Sequence, residues 1–248
     1  MTLTKYNANG NDFLITHSFK KEDRSALAKR VCDRVSGIGA DGFVVLLPSD
    51  KHDFEWNFYN CDGSIAAMCG NAARAAALYA YKNSLADRKI QFLTGAGVIT
   101  AIVTENTVEV QLTEHKIIRK DIWENDLNWF LIDTGVPHIT ANAELEVFDA
   151  VPLANLRKKY DANATIFSVK DASLFVRTFE RGVEGETLAC GTGMAAAFVR
   201  AAYENLVQNS AKIYPKSGDE LFMKLENNRL FFKGAVSEVF TTTIQPLG

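Results

Sequence analysis

The sequence predicts a mixed α+β fold made of two similar domains. Three observations carry that prediction. A short phrase occurs twice, as Met68-Cys69-Gly70-Asn71-Ala72-Ala73-Arg74-Ala75-Ala76-Ala77 and as Ala189-Cys190-Gly191-Thr192-Gly193-Met194-Ala195-Ala196-Ala197. The two cysteines stand 121 positions apart in a chain of 248 residues, about half its length. Each half also reads in the same order: helix, strands, turn, cysteine, helix, strands. This is repetition at the scale of a domain, not the short period of a solenoid.

The elements follow from residue periodicity. Lys5 to Thr16 reads as a strand interrupted by the polar turn Asn9-Gly10-Asn11-Asp12. Asp23 to Val35 has helical spacing, with Leu27, Val31 and Val35 on one side. Phe43-Val44-Val45-Leu46-Leu47 is a short apolar run stopped by Pro48, a buried strand. Phe54 to Tyr59 alternates apolar and polar positions, as a half-buried strand does. The turn Asn60-Cys61-Asp62-Gly63-Ser64 leads into the first cysteine helix. Strands follow at 90–93, 98–104 and 107–112, the last two joined by the tight turn Glu105-Asn106. The polar stretch Glu114 to Asn128 is the expected domain boundary. In the second half, 129–133 is a strand and Thr134-Gly135-Val136-Pro137-His138 a turn. Residues 151–160 form a helix, and 164–169 and 173–180 form strands. The turn Arg181 to Gly185, the second cysteine helix and strands at 211–215, 220–226 and 229–233 complete the repeat.

Composition bounds the function. A net charge of −3 gives no basic footprint for nucleic acid, and the longest basic run is only Arg157-Lys158-Lys159. No apolar stretch approaches the roughly 20 residues that span a bilayer. The opening residues, Met1 to Asn7, carry no signal-peptide core. Four cysteines (32, 61, 69 and 190) in such a chain read as reduced thiols, and a cytoplasmic location is expected. The sequon Asn163-Ala164-Thr165 is then chance.

Gly37-Ile38-Gly39-Ala40-Asp41-Gly42 matches a dinucleotide-binding pattern, but that pattern needs a strand before it and a helix after it. Here the order is reversed, and the segment is a turn entering a strand. Cys32, beside Val31, is a small core hydrophobe. Cys61 lies in a turn. With four scattered histidines (17, 52, 115, 138) there is no set of soft ligands at close spacing, so no metal is expected.

Cys69 and Cys190 are different. Each precedes a helix, whose positive end stabilises a thiolate. The glycine after each permits close approach of a ligand, and the unpaired N–H groups of Gly70-Asn71 and Gly191-Thr192 are two anion sites. A carboxylate gripped by both would sit between two thiols, a pair of acid/base groups. Glu180-Arg181, an acid and a base together at a strand end, is what a zwitterionic amino acid needs.

At these residues the chain resembles the diaminopimelate epimerase family. Gly10-Asn11-Asp12-Phe13 is similar to the family's G-N-D-F and Gly37-Ile38-Gly39-Ala40-Asp41 to its G-I-G-x-D. Asn60-Cys61-Asp62-Gly63-Ser64 with Cys69-Gly70-Asn71-Ala72-Ala73-Arg74 is similar to N-x-D-G-S…C-G-N-x-A-R. Glu180-Arg181-Gly182 with Glu186-Thr187-Leu188-Ala189-Cys190-Gly191-Thr192-Gly193 is similar to E-R-G…E-T-x-A-C-G-[ST]-G. The resemblance runs nearly end to end.

The resemblance implies two α/β domains, each a mixed sheet rolled around a central helix: residues 1–114 with 236–248 carrying Cys69, and 115–235 carrying Cys190, with the active site between them. It implies a cofactor-independent isomerase that interconverts LL- and meso-diaminopimelate in lysine biosynthesis, one cysteine removing the α-proton and the other supplying one to the opposite face. The α-carboxylate would meet Gly70, Asn71, Gly191 and Thr192, and Glu180 would take the α-ammonium. Asn11, Asn60, Asn163 and Arg181 would read the distal end, and His138 and Glu180 would tune the thiols. Phe240 falls at the family's dimer contact, so a homodimer is expected. The chain departs from the family at Gly42, where Gln is frequent, at Val136, where Asn is frequent, and in the longer segment 182–186. The alternatives are a proline racemase or hydroxyproline epimerase of the same fold and, in a different class, a thiol-based redox-sensing binding protein.

Overall fold

The computed structural model describes residues 1–112, 114–149 and 151–245. The chain divides into two compact units, Met1–Val110 with Gly234–Gly248, and Gln111–Lys233. Thr113 and residues 246–248 of the expected division lie outside the described residues.

In the first unit, β1 (Thr2–Ala8) and β2 (Asn11–His17) form a hairpin. Its two-residue loop is Asn9-Gly10, with φ of 58° and 85°. Positive φ at both loop positions is the Asn-Gly turn whose twist matches that of paired strands. The strand β3 (Gly42–Leu47) lies parallel to β2, and β4 (Phe54–Asn60) antiparallel to β3. The strand β5 (Lys89–Thr94) is parallel to β4, and β6 (Gly97–Thr104) and β7 (Thr107–Gln111) continue antiparallel. All of β3 is buried, because helices cover both its faces.

On one face, α1 (Ser25–Cys32) packs Leu27, Ala28, Val31 and Cys32 onto Leu3, Leu14, Phe43 and Val45. This helix is shorter than the sequence suggests. The Asp33 carboxylate accepts hydrogen bonds from the Val35 and Ser36 N–H groups and ends it, leaving Val35 96% exposed. On the other face lies α2 (Gly70–Lys82), with Ala72 through Ala80 buried on every side. A helix that is apolar all round must be enclosed. It touches β1, β2, β3 and β6, so the sheet curls around it, and alanine lets the strands come close.

The second unit repeats this plan. The strands β8 (Lys116–Glu124), β9 (Leu127–Asp133) and β10 (Pro137–Asn142) are antiparallel neighbours. The strand β11 (Asn163–Lys170) is parallel to β10, and β12 (Ser173–Glu180) antiparallel to β11. A short β13 (Gly185–Thr187) folds back on β12. After the second buried helix, β14 (Ser210–Pro215) is parallel to β12, and β15 (Leu221–Glu226) and β16 (Arg229–Ala235) continue antiparallel. The helix α3 (Leu153–Tyr160) packs Leu153 and Leu156 on Trp129, Ile139, Ala164 and Ile166. The enclosed helix, α4 (Gly191–Tyr203), touches β9, β10, β11, β12 and β14. The last strand of the chain, β17 (Ser237–Thr243), pairs antiparallel with β1 and holds the place in the first unit that β8 holds in the second.

Two expectations are corrected. The polar stretch 114–128 is mostly the strand β8, whose alternation is broken by irregular register between Ile117 and Ile122. The turn 134–138 ends two residues early: Pro137 and His138 belong to β10, and His138 is fully buried. Proline is tolerated there as the first residue of the strand. Among the described residues no helix is long and apolar enough to cross a membrane.

Candidate active site

Both conspicuous cysteines are N-cap residues in extended conformation, each heading an enclosed 13-residue helix. The first intrahelical bonds run from Ala73 N–H to the Cys69 carbonyl and from Met194 N–H to the Cys190 carbonyl. The preceding amides, at Gly70 and Asn71 and at Gly191 and Thr192, have no partner within their helices. They and the helix dipole provide a local positive potential at each thiol.

In the first unit, Cys69 Sγ donates to Asn11 Oδ1 at 3.9 Å. The same oxygen accepts from Asn71 Nδ2 at 3.2 Å. Asn71 Oδ1 accepts from Arg74, which is fully buried, at 2.7 Å. Arg74 also donates to Asn9 Oδ1 and to the Ala235 carbonyl, joining α2 to the hairpin turn and to the returning segment of the same unit that begins at Gly234. Asn11 Nδ2 donates to Asp41 Oδ2 at 2.6 Å. Behind Asn11, Asp12 forms ion pairs with Arg34 and Lys5. Burial pushes its carboxyl up, but the hydrogen bonds from Arg34 and Lys5 prevail and hold it at about 2. Asn60, the last residue of β4, is exposed and donates to Ser64 Oγ at 2.9 Å, within its own turn.

In the second unit, Cys190 Sγ lies 3.5 Å from Thr192 Oγ1, which is 2.9 Å from His138 Nε2. Asn163 Oδ1 accepts the Arg181 N–H at 2.7 Å, so its Nδ2 is the donor to His138 Nε2 at 3.1 Å. His138 Nε2 is therefore an acceptor, and Nδ1 carries the proton toward Thr165 Oγ1. Burial, with help from the Arg181 charge, lowers His138 to about 3, so the ring is neutral. Burial raises the Glu180 carboxyl, opposed in part by a hydrogen bond with Cys190. The Arg181 guanidinium pairs with Asp161. Thr134 Oγ1 caps the Thr192 carbonyl at 3.0 Å.

Two glycines are fixed by close packing. A Cβ on Gly193 would lie 2.5 Å from Thr178 Oγ1 and 3.2 Å from His138 Cε1. A Cβ on Gly42 would lie 2.7 Å from the Phe58 ring, which explains the absence of a long side chain there.

Sequence reasoning missed three participants: Asp41, Arg74 as a fully buried cation, and Thr192 as the link to His138. Asp41 and Arg74 stood inside quoted motifs, which was the available signal. Cys32 is buried, and burial pushes its thiol up to about 12; Cys61 is exposed. Among the described residues no group of three or more His, Cys, Asp or Glu side chains gathers as a metal site.

The profile of the diaminopimelate epimerase family matches residues 3–118 and 130–237. A diaminopimelate epimerase of Nitratiruptor sp. is 55% identical, over 98% of both chains. Those of Campylobacter jejuni strain RM1221 and Helicobacter pylori strain P12 are 50% and 44% identical, the first over 97% of both chains, the second over 95% of this chain and 94% of its own. Among solved structures, a phenazine biosynthesis protein of the PhzF family from Enterococcus faecalis aligns over 97% of both chains with a TM-score of 0.74 at 14% identity. A hydroxyproline epimerase from Agrobacterium vitis aligns over 98% of this chain and 91% of its own, with a TM-score of 0.71 at 10% identity. At such identities these two share the fold and nothing more is carried over from them.

Proposed function

Since the chain belongs to the diaminopimelate epimerase family, an isomerase interconverting LL- and meso-2,6-diaminopimelate in lysine biosynthesis, we propose that Cys69 and Cys190 are the two bases of that reaction. The observation that carries the reading is that each cysteine is the N-cap residue of the corresponding enclosed helix in two units of the same topology. Inverting a stereocentre requires a base on one face of the α-carbon and an acid on the other, and a matched pair of thiols at helix starts supplies both.

In the proposed reaction one cysteine, as thiolate, removes the α-proton while the other, as thiol, delivers a proton to the opposite face. The roles exchange with direction. Electron density from the broken C–H bond passes to the substrate carboxylate. The N–H groups of Gly70, Asn71, Gly191 and Thr192 hold its oxygens and stabilise the charge where it develops. The reaction proceeds without a cofactor. Glu180 receives the α-ammonium, and its raised carboxyl beside Cys190 couples substrate charge to the protonation of that thiol. His138 acts on Cys190 through the Thr192 hydroxyl. Asn11, Asn60, Asn163 and Arg181 read the distal end. Asn163 does so through its remaining acceptor capacity, since its amide is already bonded to His138 and Arg181. The enzyme acts in the cytoplasm as a homodimer, with a contact at Phe240, which is half exposed on β17.

Turnover of LL-diaminopimelate in deuterated water tests this reading. Two-base chemistry places solvent deuterium at the inverted α-carbon of the product. Inversion without deuterium would overturn it.

A further inference from the structure

The directions of the hydrogen bonds around Asn11 are set from two sides, by Arg74 at one end and Asp41 at the other. Arg74 can only donate, so the atom of Asn71 facing it at 2.7 Å is the carbonyl oxygen. The amide of Asn71 therefore turns its NH₂ toward Asn11. At the other end, the Asp41 carboxylate offers acceptors, so the atom of Asn11 facing it at 2.6 Å is the NH₂ group. The carbonyl of Asn11 is left facing Asn71 and the Cys69 thiol. The result is a polarised chain in which Arg74 donates to Asn71, Asn71 to Asn11 and Asn11 to Asp41.

Asp41 is itself held rigidly. Its Oδ2 also accepts the Asp12 N–H at 3.1 Å, and its Oδ1 accepts from Arg34 at 2.8 Å. In return, Asp12 Oδ1 accepts the Asp41 N–H at 2.9 Å. A carboxylate held by two donors, on a backbone pinned by a third bond, can set the orientation of a neighbouring amide.

We propose that Asp41 is a positioning residue for the epimerisation: by fixing the Asn11 amide it presents a carbonyl oxygen, and not an NH₂ group, to Cys69. An acceptor at that place takes the S–H of the thiol and opposes the pull of the helix start toward the thiolate, so the direction of the Asn11 amide bears on which form Cys69 holds. The inference rests on the reading of Cys69 as one of the two bases, but its primary readout is the thiol itself and does not require turnover.

The test is Asp41→Asn. The substitution removes the charged acceptor that pins the Asn11 NH₂ and leaves the Asn71 donor alone to orient the Asn11 side chain. Iodoacetamide labelling of the Cys69 peptide, followed against pH, should then show a thiol titrating about one unit lower than in the parent enzyme, with kcat/KM reduced about tenfold or more. A folded Asp41→Asn protein with an unaltered Cys69 labelling profile overturns the proposal, whatever its activity. Asn11→Asp gives a second handle should Asp41→Asn fail to fold. A carboxyl at position 11 can mimic the fixed amide only when it is protonated and donates to Asp41. Its activity relative to the parent should therefore rise as the pH falls. A ratio that is constant with pH overturns the proposal equally.

Discussion

The two units share a strand order, a helix on each face of the sheet and a cysteine at the start of the enclosed helix, yet they surround their thiols with different chemistry. In both, the residue two positions after the cysteine bonds to a side chain at the start of the second hairpin strand: Asn71 to Asn11 in one, Thr192 to His138 in the other. From there they diverge. In the first unit the network terminates on a buried arginine and a clamped aspartate, through amides that do not titrate. In the second it terminates on Glu180 and His138, whose proton affinities burial has moved in opposite senses. A duplicated backbone thus supplies matching sites for two thiols, while a few side chains per copy decide whether the surroundings hold a proton fixed or exchange one.

That contrast can be broken or sharpened by experiment. Cys69→Ser and Cys190→Ser should each lower kcat by about 10³-fold, because a serine hydroxyl is far too weak an acid to replace either group. If one variant kept near-parental epimerisation rates, the units would not be functional equals. Gly193→Ala should cost about 1–3 kcal/mol in denaturant-monitored stability, from the collision with Thr178 and His138. Ala72→Gly, the reciprocal change, should cost about 1 kcal/mol, the helical propensity difference. Equal losses would mean that the tight packing of α4 on His138 has no energetic counterpart.

The second unit should also carry the pH dependence. His138 is lowered in the folded chain to about 3 and takes up a proton near 6.5 when unfolded. Between those values the unfolded state binds one more proton, so this residue's contribution is complete above 6.5 and is lost as the pH falls toward 3. The slope is at most about 1.4 kcal/mol per pH unit. Equilibrium unfolding from pH 6.5 to 4 should show a shallower slope for His138→Gln than for the parent; matching slopes would remove the histidine from this account. The smallest effect is expected at Val35→Ser, within about 0.5 kcal/mol, because that side chain is almost wholly exposed beyond the end of α1.

The elements that sequence reasoning recovered were those with an uninterrupted period. The apolar run of β3 and the alanine-rich helices behind the cysteines left one interpretation each. The strand β8 was hidden because its register irregularities displace Ile117 and Ile122 from strict alternation among charged neighbours. Pro137 and His138 carried turn-like chemistry, yet the strand begins at the proline and buries the histidine. Arg74 was obscured for another reason. A cation among alanines resembles a solvent-facing helical position, and only the tertiary structure brings Asn9, Asn71 and Ala235 to meet it. Likewise, the motif residues Asp12 and Asp41 were visible, but their reciprocal carboxylate–amide bonding depends on two distant turns coming together.

The return of β17 to the first strand has a consequence for biosynthesis. The first unit lacks a border strand until Ser237–Thr243 has been made, whereas Gln111–Lys233 is continuous and complete earlier. The usual order of cotranslational folding, N-terminal domain first, is therefore not open to the first unit as a whole. Met1 N donates to the Ile244 carbonyl, one more bond along the β1–β17 seam. A nascent chain cut short near its end would carry a finished second unit beside a first one left with an open, adhesive edge.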